Sequence, residues 1–147
     1  MRYAMAVTML AIGSVATGCG SDSSALPDEL AAPDEIATLI DDWFDANTRG
    51  DGSVLELYTP EAYHLYGPQR FEYDQIADHL AGGGWEHEWT TPALLIADDG
   101  NGQFVATRGM RVSHPAVGSD ASALTFEIRT VADGSLLISE SAWFYRN

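Results

Sequence analysis

From residue 34 to residue 81 the apolar positions mostly follow helical spacing, and from Trp85 onward they alternate. Between residues 34 and 51, Ile36, Leu39, Ile40, Trp43, Phe44 and Asn47 recur at i, i+3, i+4 and i+7, while Asp41, Asp42 and Asp45 fall on the other side. This predicts an amphipathic helix with a solvated acidic face. Pro33 suits its first turn and Gly50 its stop. Ser53 and Glu56 have the spacing of a capping box, which predicts a short second helix ended by Pro60 and makes Glu56 a cap. Residues 61–67 then alternate as a strand, with Ala62, His64 and Tyr66 on one face and Tyr63 and Leu65 on the other. A third helix fits residues 73–81, capped by Asp74, striped by Ile76 and Leu80, and ended by Gly82, Gly83 and Gly84.

The remainder reads as four strands: residues 85–99, with Pro92 marking a bulge or edge, then 103–114, 122–131 and 136–145. The stretches "DDGNG" and "ADGS" supply hairpin turns. The first of these is not a calcium loop. In that register Ala97 and Arg108 occupy the first and twelfth ligand positions. The order is three helices, one strand inserted between the second and third, and a four-strand antiparallel meander. This is an α+β plan, with helices on one side of a curved antiparallel sheet.

The N-terminus adds a different kind of information. Arg2 and an apolar run from Tyr3 to Val15, too short to span a bilayer, mark residues 1–18 as a signal peptide. The sequence "VATGC" ending at Cys19 resembles the bacterial lipobox. Cys19 is the only cysteine, at the one position that motif needs, so lipidation there, with palmitate-type chains, is expected and no intrachain disulfide can form. Two or three acyl chains anchor stably. Residues 19–33 form a polar, proline-punctuated tether, and residues 34–147 form the domain. The expected location is the extracytoplasmic side of a cell membrane.

Composition narrows the partners. The chain has 147 residues, enough for one domain. Acids outnumber basic residues 22 to 7, every basic residue is Arg, and the net charge is −15. That balance argues against nucleic acid and against direct docking on anionic lipid.

The element order, together with "LYTPEAYHLYG" and "VADGSLLISESAW", resembles the NTF2-like superfamily in its SnoaL-like and ketosteroid-isomerase-like branch. The resemblance covers roughly residues 34–147. It implies a cone: a curved sheet closed by three N-terminal helices around an apolar pocket. Carried over position by position, the isomerase's oxyanion-stabilising tyrosine falls on Trp43, its aspartate base on Tyr66 and its protonated acid on Phe126. None of those chemical groups is retained, so isomerisation by that mechanism is not expected.

The same alignment turns His64 and Tyr66 inward, with Leu124, Phe126 and Ile128 from the third meander strand and Ser139, Ser141 and Trp143 from the last. On the second meander strand it turns Phe104, Ala106, Arg108, Met110 and Val112 the same way. The expected ligand-binding pocket is therefore Trp43, Tyr58, His64, Tyr66, Arg108, Met110, Phe126 and Trp143, suited to a small hydrophobic or aromatic molecule. Arg108, alone among apolar neighbours, is either a clamp for an anionic ligand end or the partner of an acid such as Glu140 or Glu127.

Three functions remain open: a non-catalytic binding pocket, a dehydratase- or isomerase-like lyase using His64 and Tyr66, and an interaction module that dimerises through its sheet. His87 lies in an aromatic stripe with Trp85 and Trp89. His64, His79, His87 and His114 show no ligand spacing, so neither metal nor cofactor is expected.

Overall fold

The computed structural model describes residues 30–81, 86–116 and 118–145. The leader, Cys19, most of the tether, Trp85 and the three consecutive glycines lie outside the described residues.

Helix α1 (Asp34–Arg49) forms as its periodicity predicts. It buries Ile36, Leu39, Ile40, Trp43 and Ala46, and Pro33 is its N-cap residue. Gly50 ends it in the left-handed region at φ 63°, where a side chain would be strained, and its N–H closes on the Ala46 and Asn47 carbonyls. The second predicted helix is a single 3-10 turn (Ser53–Leu57). Its capping box does not form. The cap position is Gly52, and the Ser53 N–H donates to Asp51 instead. Helix α2 (Tyr73–Leu80) is capped by Glu72 rather than Asp74. The Glu72 and Gln75 side chains each accept from the other's backbone N–H. There are thus two α-helices among the described residues, not three.

Seven strands form one sheet: β1 (Tyr58–Tyr66), β2 (Gln69–Glu72), β3 (Glu86–Trp89), β4 (Leu94–Asp98), β5 (Gln103–His114), β6 (Gly118–Thr130) and β7 (Leu136–Tyr145). The order is β2-β1-β7-β6-β5-β3, with β4 also on β5. The sheet is mixed rather than antiparallel, because β1 lies parallel to β7. A parallel neighbour cannot come from a hairpin, and α2 with the meander supplies the long connection.

Strand β1 starts earlier than its alternation suggests. Pro60 sits inside it, where Tyr58 pairs with Ile138 and Tyr63 with Glu140, so four residues on β1 bulge against one on β7. Proline has no N–H for the ladder, and a bulge is where the sheet tolerates it. The strand predicted over residues 85–99 is two strands. Between them the chain leaves the ladder at Thr90–Ala93, and the Gly109 N–H and carbonyl hold Thr91 Oγ1 and the Thr90 N–H. A Cβ on Gly109 would meet Thr90 Oγ1 at 2.9 Å, so glycine permits this close approach. The end of the tether is docked rather than free: Ala31 bridges Leu94, and the Ala32 N–H donates to the Ala93 carbonyl.

The core lies between α1, α2 and the sheet's inner face. Trp43 stands edge-on to Phe126, with ring centroids 5.3 Å apart. Ala106, Met110, Leu124, Phe126, Ile128 and Ile138 line the floor, each at most 1% exposed. The outer face carries Glu127, Tyr63, Glu140 and the exposed Phe144.

Candidate functional site

At the centre of this core lies a line of polar groups. Trp43 Nε1 donates to the Tyr58 hydroxyl at 2.7 Å. That hydroxyl is 2.6 Å from Ser141 Oγ, which is 2.7 Å from His64 Nδ1. The four residues come from α1, the start of β1, the middle of β7 and the second half of β1. Register explains the meeting: His64 pairs directly with Ser141 across the parallel ladder, and the β1 bulge sets Tyr58 back beside Ile138. All four are at most 3% exposed.

The line ends at an unpaired atom. His64 Nε2 is buried and has no hydrogen-bond partner. Burial, reinforced by the neighbouring His79, pushes His64 down to about 3, so the ring is neutral at physiological pH. Burial also pushes the Tyr58 phenol above its ordinary range, against smaller opposing effects of its bonds to Ser141 and Trp43. Burial thus favours the neutral form of both groups, and the line orients hydrogen atoms between uncharged partners.

Around His64 runs a chain of half-buried rings. His79 stacks on Phe71 at 3.8 Å and lies 5.3 Å from His64 and 5.1 Å from Tyr66. Tyr66 stands edge-on to Trp143 at 5.7 Å, Trp143 meets His87 at 5.5 Å, and His87 meets Phe44, which packs on Trp89 at 4.9 Å. Each is partly accessible, unlike the residues beneath. Burial lowers His79 and His87 as well. Edge-to-face, tilted and stacked contacts tie these rings into one continuous aromatic rim over the buried line.

The structure distributes the sequence-predicted residues unevenly. Trp43, Tyr58 and His64 meet in the buried line, Met110 and Phe126 lie in the floor, and Tyr66 and Trp143 form part of the rim. Arg108 stands apart from the line. Its Nε–H donates to the Thr91 carbonyl at 2.9 Å, its Nη1 pairs with Asp41 at 2.5 Å, and its guanidinium lies over Trp89 at 4.6 Å. The acid that pairs with it is Asp41 on α1, not Glu140 or Glu127. Glu140 faces the outer side, where it accepts from the Tyr63 hydroxyl under Arg70. His64 and Tyr66 do not bond to each other through Nδ1, which belongs to Ser141.

Sequence reasoning turned Ser141 inward without giving it a role, and it missed Phe71 and His79 as neighbours of His64. The available signal was a serine hydroxyl at an inward position of β7, shared with Ser139. Two surface clefts lie elsewhere. One of about 150 Å³ is bordered by Asp99, Gln103, Glu127 and Arg129. The other, about 330 Å³ and open, is bordered by Pro60, Glu61, Glu72 and Asp74. Neither touches the buried line. Asn47 Oδ1, Thr59 Oγ1, Trp89 Nε1 and Arg129 Nε are also buried without a partner, but His64 Nε2 is the one that ends the line of buried hydrogen bonds, and a buried polar group left unpaired is costly.

No protein-family model and no curated protein matches this sequence. Solved structures do. An NTF-2 like protein of unknown function from Pseudomonas aeruginosa superposes with a TM-score of 0.64 at 13% identity, over 77% of this chain and 99% of that one. A putative ketosteroid isomerase from Shewanella frigidimarina gives 0.62 at 9% identity, over 73% and 92%. ActVI-ORFA from Streptomyces coelicolor gives 0.58 at 12% identity, over 76% and 94%. At these identities the likeness shows the fold, which is NTF2-like, with a curved mixed sheet and helices packed against it.

Proposed function

We propose that this domain binds a small hydrophobic or aromatic molecule at the His64 site without catalysing a reaction on it, and that it does so on the extracytoplasmic side of a membrane, held by lipid on Cys19. The observation that carries the binding reading is the unpartnered Nε2 of His64, fully buried under half-buried aromatic rings. A guest packed against Tyr66, His79 and Trp143 would meet mostly ring faces, with the His64 nitrogen as the buried polar group beneath them. Such a balance of large apolar area and few placed polar groups is the usual make-up of a small-molecule site.

The non-catalytic part follows from the protonation chemistry. A general base works best with a pKa near the operating pH. Burial holds His64 far below that, at about 3. At the positions where the isomerase resemblance calls for carboxylates stand Tyr66 and Phe126, while Glu127 and Glu140 lie on the outer side. The anchoring part rests on the leader and the lipobox-like "VATGC", since no described helix is long and apolar enough to cross a membrane.

Trp43, Trp89 and Trp143 place three reporters in or beside the site. Titrating the purified protein with bicyclic aromatic compounds should change its tryptophan emission saturably, and His64→Leu should weaken the response to those carrying a polar atom. A flat emission curve across a chemically diverse panel would remove the binding reading.

A further inference from the structure

Trp43 is the one member of the buried line with a fixed role, since indole nitrogen can donate a hydrogen bond and never accept one. Its contact at 2.7 Å therefore makes the Tyr58 oxygen an acceptor. Two arrangements of the remaining hydrogens are then possible. In the forward one, Tyr58 O–H donates to Ser141, Ser141 O–H donates to His64 Nδ1, and the His64 proton sits on Nε2. In the reverse one, His64 Nδ1–H donates to Ser141, Ser141 donates to Tyr58, and the Tyr58 hydrogen has nothing to bond.

Both arrangements make the same three bonds. The forward one leaves a single group unsatisfied, the Nε2–H. The reverse one leaves two, a buried phenolic hydrogen and a bare imidazole nitrogen. In a site where each stranded buried group costs about 1–3 kcal/mol, the forward polarity wins.

We propose that the Trp43–Tyr58–Ser141–His64 line fixes His64 in the Nε2–H tautomer, so that the site selects ligands whose buried polar atom is a lone-pair acceptor, such as a ketone, quinone or ether oxygen, and disfavours ligands that present an N–H donor there. This rests on the binding reading above. It goes further by assigning the chemical class of the recognised atom and naming Ser141 as the residue that positions the histidine proton. A neutral imidazole facing a donor ligand sets two hydrogens against each other. Facing a carbonyl, it completes the only missing bond of the line.

Two measurements on the full chain test this separately. Nitrogen-15 NMR of the unliganded protein should show His64 as the neutral Nε2–H tautomer at pH 7. An Nδ1–H tautomer overturns the polarity argument whether or not any ligand binds. Calorimetric titration with 1-indanone, indane and indole then compares an acceptor, no polar atom and an N–H donor on one bicyclic frame. Indanone should bind roughly tenfold tighter than indane, the worth of one good hydrogen bond, with indole no tighter than indane.

Equal affinity for indanone and indole overturns the selectivity. Failure of all three to bind overturns the binding reading and the selectivity with it, while the tautomer result stands on its own. Ser141→Ala should relax both readouts, giving a mixed His64 tautomer and an indanone preference reduced several-fold. Unchanged values in that variant would show that Ser141 does not position the proton.

Discussion

Replacing Ser141 by alanine removes one oxygen and strands two groups. The Tyr58 hydroxyl loses its acceptor at 2.6 Å and His64 Nδ1 loses its donor at 2.7 Å, both in residues at most 3% exposed. Each buried group left without a partner costs about 1–3 kcal/mol, so the variant should lose roughly 2–6 kcal/mol, a large share of a typical total of about 5–15 kcal/mol. For a domain of this size that corresponds to a fall in Tm of roughly 8–24 °C. Ser139→Ala is the matched comparison. It lies two residues away on the same strand and is also buried, but its hydroxyl makes a single long bond of 3.3 Å to the Glu127 carbonyl. Losing that should cost about 0.5–1 kcal/mol. Urea unfolding and thermal melts followed by circular dichroism measure both. Equal losses in the two variants, or a loss at Ser141 below about 1 kcal/mol, would refute the reasoning that Ser141 joins Tyr58 and His64 in one buried network.

Three further outcomes are expected. The folded protein holds His64 at about 3 while the unfolded chain takes a proton near ~6.5, so the unfolded state binds more protons in between. The stabilising contribution is full above pH ~6.5 and is lost as pH falls toward ~3, at up to about 1.4 kcal/mol per pH unit. The difference between wild-type and His64→Gln unfolding profiles should show that slope, and parallel profiles would contradict it. Arg108→Lys should destabilise by about 1–2 kcal/mol, because a lysine ammonium cannot reproduce the guanidinium fork that joins Thr91 and Asp41 over Trp89; chemical denaturation reads this, and a neutral effect would mean the fork is dispensable. Cys19→Ala should abolish incorporation of a labelled palmitate analogue and release the chain from the membrane fraction, whereas an unaltered fractionation pattern would exclude the lipid anchor.

Much of this fold was legible because two periods dominate it. Helix α1 carries its apolar stripe and its Gly50 stop in plain view, and β5 and β7 run between residues that turn. The misses share one kind of cause: a segment's own pattern was overridden by partners outside that segment. Pro60 reads as a terminator, yet β7 tolerates it as a bulge. Ser53 and Glu56 have capping-box spacing, but Asp51 is nearer the Ser53 N–H. The short β2 has too few residues for alternation to show, and only β1 beside it makes it a strand. Nothing local declares that β1 pairs with β7 in parallel, and that pairing is what sets Ser141 against His64.

The site was half legible for the same reason. Alternation and the family resemblance together turned His64, Tyr66, Phe126 and Trp143 to one side, and the structure buries His64 and Phe126 and half-buries Tyr66 and Trp143. Partnership does not follow. Arg108 was legible as a cation in need of an acid, but its acid sits 67 positions away on the solvated face of α1. The Trp43 indole lost the phenol expected at its position under the family resemblance, yet it still donates a hydrogen bond to the same centre through Tyr58.

The most direct measurement is the position of a bound aromatic guest. Intermolecular nuclear Overhauser effects from 1-indanone should reach the ring protons of Tyr66, His79 and Trp143 and the Nε2 hydrogen of His64. Contacts confined to the outer face around Phe144, with none at His64, would contradict the assignment of this site.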